Sequence, residues 1–565
     1  MKLIFYIFLY LNIYTIFSSE SFAQKFTLEI KGEISISESL KDSIQFVENH
    51  PDVSSVKSEA DSIATRLQRI GYIESVLRNF QKKNDSVFTA RYFLGNKYQY
   101  IKVYFSETDI SKKELQQVTS EIYEDYFILP YELTAITLQK LNTLKTNQGN
   151  AFSRIRLSEL EIENTSTLTA TLHIDSGVKR IVDEIIVKGY EKFPISFIKY
   201  YAGVRKGKTF SRKKILDQNQ SLNNLGFVTT LKEPEVLFKK DSTTVYFYLE
   251  KQTNNTFDGI LGFATNEDTQ KLEFNGYLDI VLNNNLNFGE HLRINYKADG
   301  KEQVNFEAST DLPYLFKSPF GLGAGLKIFK RDSTFVTTNQ LAKVTYQINP
   351  RSNSYIGYKF YESSNLRETT PTTTPIEDYT SNFIITGITY FKGQQSSLFP
   401  NKSFASLESE IGRRNFQQEK ENQLRFSITA STIFNLNYSN SIFIKSSSSL
   451  LSTNSYFTNE LFRFGGINSI RGFDENSIDA SLFSILNTEY RYQFSPNLYL
   501  HSIIDLGYFE NAVINIKQNL FSFGIGLGIN SKSGLFKLNF ANGRSENQVF
   551  NFSNSKIHIS FSSKF

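Results

Sequence analysis

Cysteine and tryptophan are both absent from the 565 residues, proline occurs only 11 times, and Met1 is the sole methionine. Without cysteine the chain has no disulfide, no thiolate nucleophile, no Cys-ligated zinc or iron–sulfur site, and no N-terminal Cys to carry lipid. Beyond the N-terminus no apolar run reaches the roughly 18 residues of a membrane helix, which excludes a helical membrane protein. A β-barrel stays open, because its strands alternate and their hydropathy averages toward neutral. Histidine is scarce: His50, His173, His291, His501 and His558 have no partners at helical metal-ligand spacing. There is no Gly-x-Ser-x-Gly elbow, Walker loop or zincin motif either. The expectation is a protein that is not an enzyme and carries no metal or cofactor. The 62 basic and 57 acidic groups are interspersed, with no basic block of the kind that binds nucleic acid. What the chain has in quantity is Phe, 51 residues, and Tyr, 31.

Residues 1–23 begin with Lys2, continue through an apolar stretch from Leu3 to Phe17, and end in Ser21-Phe22-Ala23, the small-x-small pattern of signal cleavage. This predicts a secretory signal peptide. The alternative is an anchor helix, for which Tyr6, Tyr10, Asn12, Tyr14 and Thr15 make the stretch short and polar.

A glycine followed by an aromatic closes a helical pattern three times, at Gly71-Tyr72, Gly149-Asn150-Ala151-Phe152 and Gly226-Phe227, with the glycines 78 and 77 residues apart. Such near-constant spacing marks a repeated supersecondary unit. In the first copy Val56, Ala60, Ile63, Leu67 and Ile70 form one apolar helix face, and Gly71 suits the left-handed position that ends a helix. The third copy reads strand 182–187, helix 194–201, a helix capped by Ser211 and closed at Gly226, then strands 233–238 and 243–250. The second copy keeps only Leu141 and Leu144 at comparable helix positions. This β-α-α-β-β order resembles the POTRA domain, the periplasmic unit that precedes outer-membrane barrels. The resemblance implies POTRA 1 at 24–97, POTRA 2 at 98–177 and POTRA 3 at 178–252. An unrelated run of small α+β domains is the alternative.

From 253 to 565 helical periodicity fades, and segments of about ten alternating residues are separated by Asn-, Ser-, Asp- and Gly-rich turns. Sixteen such segments are predicted, the first starting near Phe257 and the last near Lys556. An even count suits a closed antiparallel barrel with both ends on the periplasmic side. In the twelfth segment Leu482, Leu486, Tyr490 and Tyr492 share one face, while Asn487, Glu489 and Arg491 share the other. In the thirteenth, Leu498, Leu500, Ile504 and Leu506 oppose Tyr499, His501, Ile503 and Asp505. A soluble sandwich or propeller is the alternative to a membrane barrel.

The longest connection, from about Thr453 to Asp479, holds Ile470-Arg471-Gly472-Phe473. The two strands after it carry Asn487-Thr488-Glu489-Tyr490-Arg491 and Ile504-Asp505-Leu506-Gly507. These elements, in this order, resemble the BamA/TamA/two-partner-secretion superfamily, in which the long loop folds back into the barrel lumen. The resemblance implies that Arg471 pairs with Glu489, Asp505 or both, that Gly472 allows a tight backbone approach, and that Phe473 packs beside it. The alternative is an arginine in a solvated loop near unrelated acids, or, for Glu489 and Asp505, a catalytic carboxylate pair. The glycine-rich Gly524-Ile525-Gly526-Leu527-Gly528 strand and the next, from Gly534, resemble the family's last hairpin. The chain ends on Ile557, Ile559, Phe561 and Phe565, like the C-terminal signal of such barrels, with Ser563 where an apolar residue is common.

Three POTRA units look most like the TamA branch of an outer-membrane assembly or translocation family. The implied mechanism is physical: POTRA edges accept unfolded client by β-augmentation, and a lateral seam guides insertion. That seam would lie between Phe257, Gly259, Leu261 and Phe263 on the first strand and Ile557, Ile559, Phe561 and Phe565 on the last. Implied partners are unfolded outer-membrane or secreted polypeptides, outer-membrane lipid, and a periplasmic or inner-membrane protein. The implied location is the outer membrane of a Gram-negative bacterium, with the N-terminal domains in the periplasm. Two other readings remain: a two-partner-secretion transporter threading an exoprotein through the lumen, and a passive porin.

Overall fold

The structure, a computed structural model, describes residues 25–33, 35–265, 272–298, 303–367, 375–396, 398–531, 534–546 and 555–564. The expected leader 1–23 and Phe565 lie outside the described residues. The chain divides into two compact units: one holds the first two repeats, the other the third repeat and the barrel.

The first repeat runs β1 (Phe26–Gly32), α1 (Glu38–Ile44), β2 (Asn49–His50), α2 (Val53–Arg69), β3 (Val76–Lys82) and β4 (Val87–Phe93). Its sheet order is β2-β1-β4-β3, with β1 and β4 parallel. Val56, Ala60, Ile63 and Leu67 of α2 are buried against Leu28, Ile30, Phe88 and Ala90, so the spacing of four and three seen in the sequence is the packed face. The second repeat runs β5 (Tyr100–Tyr104), α3 (Lys112–Leu115), β6 (Tyr126–Pro130), α4 (Thr134–Asn147), β7 (Arg154–Ile162) and β8 (Thr167–Asp175), in the order β6-β5-β8-β7. Its helix α4 buries Thr137, Leu141 and Lys145. A buried lysine on the packed face is why apolar periodicity fades there in the sequence.

Lys145 is tolerated because Glu114 meets it, 3.2 Å from its Nζ. Glu114 is also half of a capping box with Ser111, and it accepts from the Gln148 carboxamide at 2.7 Å. Burial opposes ionisation of Glu114, but the Ser111 backbone N–H, Gln148, the Ser111 hydroxyl and Lys145 together bring its carboxyl down to about 2.

The third repeat runs β9 (Glu184–Gly189), a π-helical turn (Phe197–Tyr201), α5 (Arg212–Leu222), β10 (Val228–Thr230), β11 (Glu235–Phe238) and β12 (Thr243–Lys251). Here β9 lies parallel to β12, and β10 and β11 flank β12 antiparallel.

The three turn glycines share a role that the spacing alone did not reveal. Gly71, Gly149 and Gly226 have φ of +109°, +105° and +76°. The carbonyl of Gly71 accepts from Tyr98 N–H at 2.9 Å and that of Gly149 from Arg180 N–H at 2.8 Å, in each case from the segment leading out of the repeat. At Gly226 a Cβ would lie 2.5 Å from the Asn254 carboxamide nitrogen. Each glycine therefore both ends a helix and receives the outgoing chain, a position where a side chain has neither the torsion nor the room.

Sixteen antiparallel strands close the barrel. They are β13 (Thr256–Thr265), β14 (Leu272–Asn283), β15 (His291–Ala298), β16 (Val304–Leu312), β17 (Phe320–Arg331), β18 (Phe335–Asn349), β19 (Ser352–Asn365), β20 (Tyr379–Gly393), β21 (Asn401–Phe416), β22 (Glu419–Asn435) and β23 (Asn440–Ser452). After a loop hairpin of β24 (Phe462–Phe464) and β25 (Ile478–Ala480) follow β26 (Leu482–Ser495), β27 (Leu498–Asn511), β28 (Ile516–Ser531), β29 (Gly534–Arg544) and β30 (Lys556–Lys564). Outward positions such as Leu486, Tyr490, Tyr492, Leu500, Ile504 and Leu506 are exposed, while Asn487, Glu489, Tyr499, His501 and Asp505 are buried inside. Among the described residues no helix is long and apolar enough to cross a membrane.

The third repeat is seated on the barrel turns. Tyr190 Oη donates to Asn287 Oδ1 at 2.7 Å and accepts from Asn284 Nδ2 at 2.9 Å. The Phe197 ring meets Tyr314 edge-on at 4.7 Å and fills the space where a Cβ on Gly289 would stand. Residues 284–290 form this seat, and the third wall strand begins after it at His291.

The Glu114 carboxyl is lower in the folded second repeat than its unfolded value of about 4.3, so its stabilisation is present above pH 4.3 and is lost as pH falls toward 2. Urea titrations of residues 98–177 should show a loss on the order of 2 kcal/mol between pH 5 and 2.5, and Glu114→Gln should be less stable at pH 5 and flatter with pH.

Candidate functional site

The segment between β23 and β26 folds into the lumen and is held from several sides. Arg471 is its centre, with its side chain 5% exposed. Its Nε donates to Asp505 Oδ2 at 2.9 Å, its Nη2 to Asp505 Oδ1 at 2.5 Å, and its backbone N–H to Asp505 Oδ2 at 2.9 Å. Its Nη1 donates to Glu489 Oε1. Asp505 is fully buried on β27, and Glu489 lies on β26. A planar guanidinium fills this geometry; an ammonium has no second prong to take the other Asp505 oxygen.

Gly472 has φ of +83°, and a Cβ there would lie 2.5 Å from the Gly543 nitrogen, so the loop backbone lies directly on β29. The Phe473 ring sits against Gly543 and is buried with Phe464, Ile470, Ile485, Phe509 and Leu520. Gly507 leaves room for Ile470, whose Cδ1 would be 3.1 Å from a Cβ at that position. The structure thus brings Ile470, Arg471, Gly472, Phe473, Glu489 and Asp505 together.

Further ties carry the loop across the lumen. Lys445 Nζ donates to the Asn468 carbonyl at 2.8 Å, and Asn487 Nδ2 to the Ser469 carbonyl at 2.7 Å. Lys556 meets Asp474 at 2.8 Å and Lys297 meets Glu475 at 3.0 Å, which anchors the loop to the last strand and the third. Arg331 takes Asp479 with both terminal nitrogens at 2.6 and 2.8 Å. Ala480, just past the expected end of the long connection, still belongs to the loop hairpin, because it pairs with Phe462.

A second cluster escaped the sequence reading. Arg414 is 2% exposed; it donates to Glu460 at 2.6 Å and to Glu421, and its guanidinium lies 3.9 Å over the Phe457 ring. Beside it Lys359 bridges Glu408 at 2.9 Å and Glu410 at 2.6 Å, and Tyr361 donates to Glu410 at 3.1 Å. The available signal was parity: Glu408, Glu410 and Arg414 share one face of β21, and Glu421, Gln423 and Arg425 one face of β22. The remaining lumen is a cavity of about 1270 Å³ bordered by Arg471, Glu489, Arg491 and Lys327.

The seam residues are placed differently from one another. Among the described residues, strands β13 and β30 share two register pairs, Thr256 with Lys564 and Phe257 with Ser563, whereas β13 and β14 share ten and β29 and β30 share seven. Ile557, Ile559 and Phe561 face outward and pair with Phe540, Leu538 and Phe536 on β29, not with the first strand. Gly259, Leu261 and Phe263 pair with Leu278, Gly276 and Phe274 of β14. Ser563 occupies one of the two closing pairs.

No family model and no curated protein matches the chain. Among solved structures, CdiB from Escherichia coli aligns over 91% of this chain and 98% of its own with a TM-score of 0.52 and 12% identity. CdiB from Acinetobacter baumannii aligns over 82% and 89% with a TM-score of 0.51 and 16% identity. The chain has the fold of the CdiB barrels. BamA from Haemophilus ducreyi lacking POTRA domains 1–3 aligns over 82% and 99%, at 16% identity and a TM-score of 0.49. The fold expected from the alternating segments and the glycine-aromatic repeats, a sixteen-stranded barrel preceded by α+β repeats, is the fold observed.

Removing one partner of a buried, hydrogen-bonded ion pair costs about 3–5 kcal/mol. Arg471→Lys and Asp505→Asn should each lower the temperature at which the barrel loses its compact, heat-modifiable gel mobility, with Asp505→Asn the more severe. Each should also expose the 453–481 loop to protease. Unchanged mobility and protection in both variants would show that the clamp does not hold the loop.

Proposed function

We propose that the protein assembles or translocates polypeptides at the outer membrane of a Gram-negative bacterium, with its three repeats in the periplasm acting as POTRA domains. The observation that carries this reading is the seam. A strand in hydrocarbon must satisfy every backbone N–H and C=O, because no water is there to do so. Among the described residues the edge of β30 that faces β13 shares register pairs with it through Ser563 and Lys564 alone, and farther along the Phe561 N–H is met by the Asp258 carboxylate rather than by the β13 backbone. An incoming client strand can take up that edge one residue at a time, so its backbone never crosses lipid unsatisfied. The edge strands of the repeats, β3 and β7 among them, offer the same unpaired groups to an extended client beforehand.

The work is conformational, with no covalent step and no cofactor. The clamp at Arg471 keeps the lumen occupied while the seam opens, which separates insertion from leakage. The likeness in fold to the CdiB barrels and the resemblance to the TamA branch both fit this reading. Translocation of one exoprotein through the lumen is the second reading, favoured by the cavity of about 1270 Å³. A passive porin fits less well, because the loop crosses the lumen from its tie to Lys445 on the eleventh wall strand to its tie to Lys297 on the third.

Photo-crosslinkers at Phe257 and Ile559, on the two seam strands, distinguish the readings in cells. Barrel precursors captured at both positions support assembly. A single exoprotein captured at Lys327 in the lumen, with neither seam position labelled, supports secretion in its place.

A further inference from the structure

The turn that joins β20 to β21 folds inward. Gln394 closes it, its N–H donating to the Pro400 carbonyl at 2.8 Å and its carboxamide to the Phe399 carbonyl at 2.7 Å. Asn435, at the end of β22, donates to the Gln394 side chain at 3.0 Å. The Phe399 ring then meets Tyr499 on β27 edge-on, 4.8 Å between centroids. Along the wall β27 lies four strands beyond β21. A turn touching both must pass beneath β22, β23 and β26 and enter the mouth of the barrel, and Leu398 is buried there. This is the mouth on which the third repeat is seated: Gly393 faces Asn224 of that repeat, whose Oδ1 would be 3.2 Å from a Cβ at Gly393.

Arg491 connects this turn to the loop that descends from the other end. Its guanidinium lies 4.6 Å from the Phe399 ring centre and 4.2 Å from that of Phe443. Its Nε and Nη2 donate to Glu489 Oε2 at 2.8 and 2.7 Å. The other oxygen of the same carboxylate, Oε1, takes Arg471. One buried carboxylate is thus divided between the arginine of the luminal loop and the arginine beneath the turn.

We propose that the β20–β21 turn is a plug for the mouth beside the third repeat, and that Glu489 couples the plug to the luminal loop through Arg491. Phe399 and Arg491 are positioning residues in this arrangement. If the turn leaves, Arg491 loses the aromatic face that orients it, and Glu489 is no longer held in place for Arg471; if the loop leaves, Glu489 loses Arg471 and draws the Arg491 guanidinium off the Phe399 ring. Coupling between two sites is reciprocal, so each release must be felt at the other end.

The chain has no cysteine, which makes single-cysteine reporters clean. Leu398→Cys reports on the plug, and Ala480→Cys, at a fully buried loop position, reports on the loop. Maleimide modification is timed in the purified full chain. Arg471→Lys should raise the modification rate of the Leu398→Cys reporter, and Phe399→Ala that of the Ala480→Cys reporter. The increase should be about 5- to 30-fold, as expected for a desolvated cation–aromatic contact or a loosened ion pair. Arg491→Lys, which keeps the charge but not the plane, should release both reporters. Phe399→Ala should also raise conductance in planar bilayers. If Phe399→Ala does not yield a folded barrel, Phe399→Leu, which keeps the bulk without the ring face, poses the same question. The coupling is overturned if each substitution moves only the reporter at its own end, and the plug is overturned if conductance does not change.

Discussion

A guanidinium buried in the lumen of a barrel must be matched by fixed acceptors, and the placing of Arg471 on Asp505 and Glu489 organises the rest of this structure. Taking such a charge out of water costs several kcal/mol unless nearly every donor is satisfied. Here the backbone N–H and three side-chain nitrogens of Arg471 all have carboxylate partners. That demand explains the surrounding small residues. Gly472 brings the backbone onto β29, Gly507 clears space for Ile470, and Gly543 accepts the Phe473 ring. The loop's other ties, to Lys297, Arg331, Lys445 and Lys556, spread its fixation over strands from the third to the sixteenth. A loop so held braces the wall from within.

The wall is uneven for a related reason. Most neighbouring strands are paired along their length, but the first and last meet at two residue pairs. With the lumen braced by the loop, the barrel stays closed without a full ladder at that place. The weak point is where the first and last wall strands meet, a junction that no connecting segment enforces. The third repeat, locked to the turns at Asn287 and Tyr314, is fixed close to that junction at its outgoing end.

Much of this was legible in the sequence. Period-two alternation marked sixteen strands because a wall with lipid outside and water inside must alternate. The glycine-aromatic spacing marked three repeats because each helix end required the same positive φ. The resemblance around Arg471 implied its pairing with Glu489, Asp505 or both, and strand parity agreed by putting both acids on the inner face. The second repeat's helix was obscured by Lys145, whose burial depends on Glu114, a residue on a different helix that no local pattern connects to it.

What the sequence by itself determined is therefore periodic or local: strand count, inward and outward faces, helix ends, and the residue types able to hold a buried cation. Only the tertiary structure decided which charges meet. The Arg414–Glu460 pair and the Lys359 pairs with Glu408 and Glu410 join residues about 50 positions apart, and Arg331 meets Asp479 across 148. Closure of the barrel sets those distances. The same closure brings the Phe399 turn under β22 and β23 to Arg491 on β26 and sets the first wall strand beside the last, where among the described residues they share two register pairs.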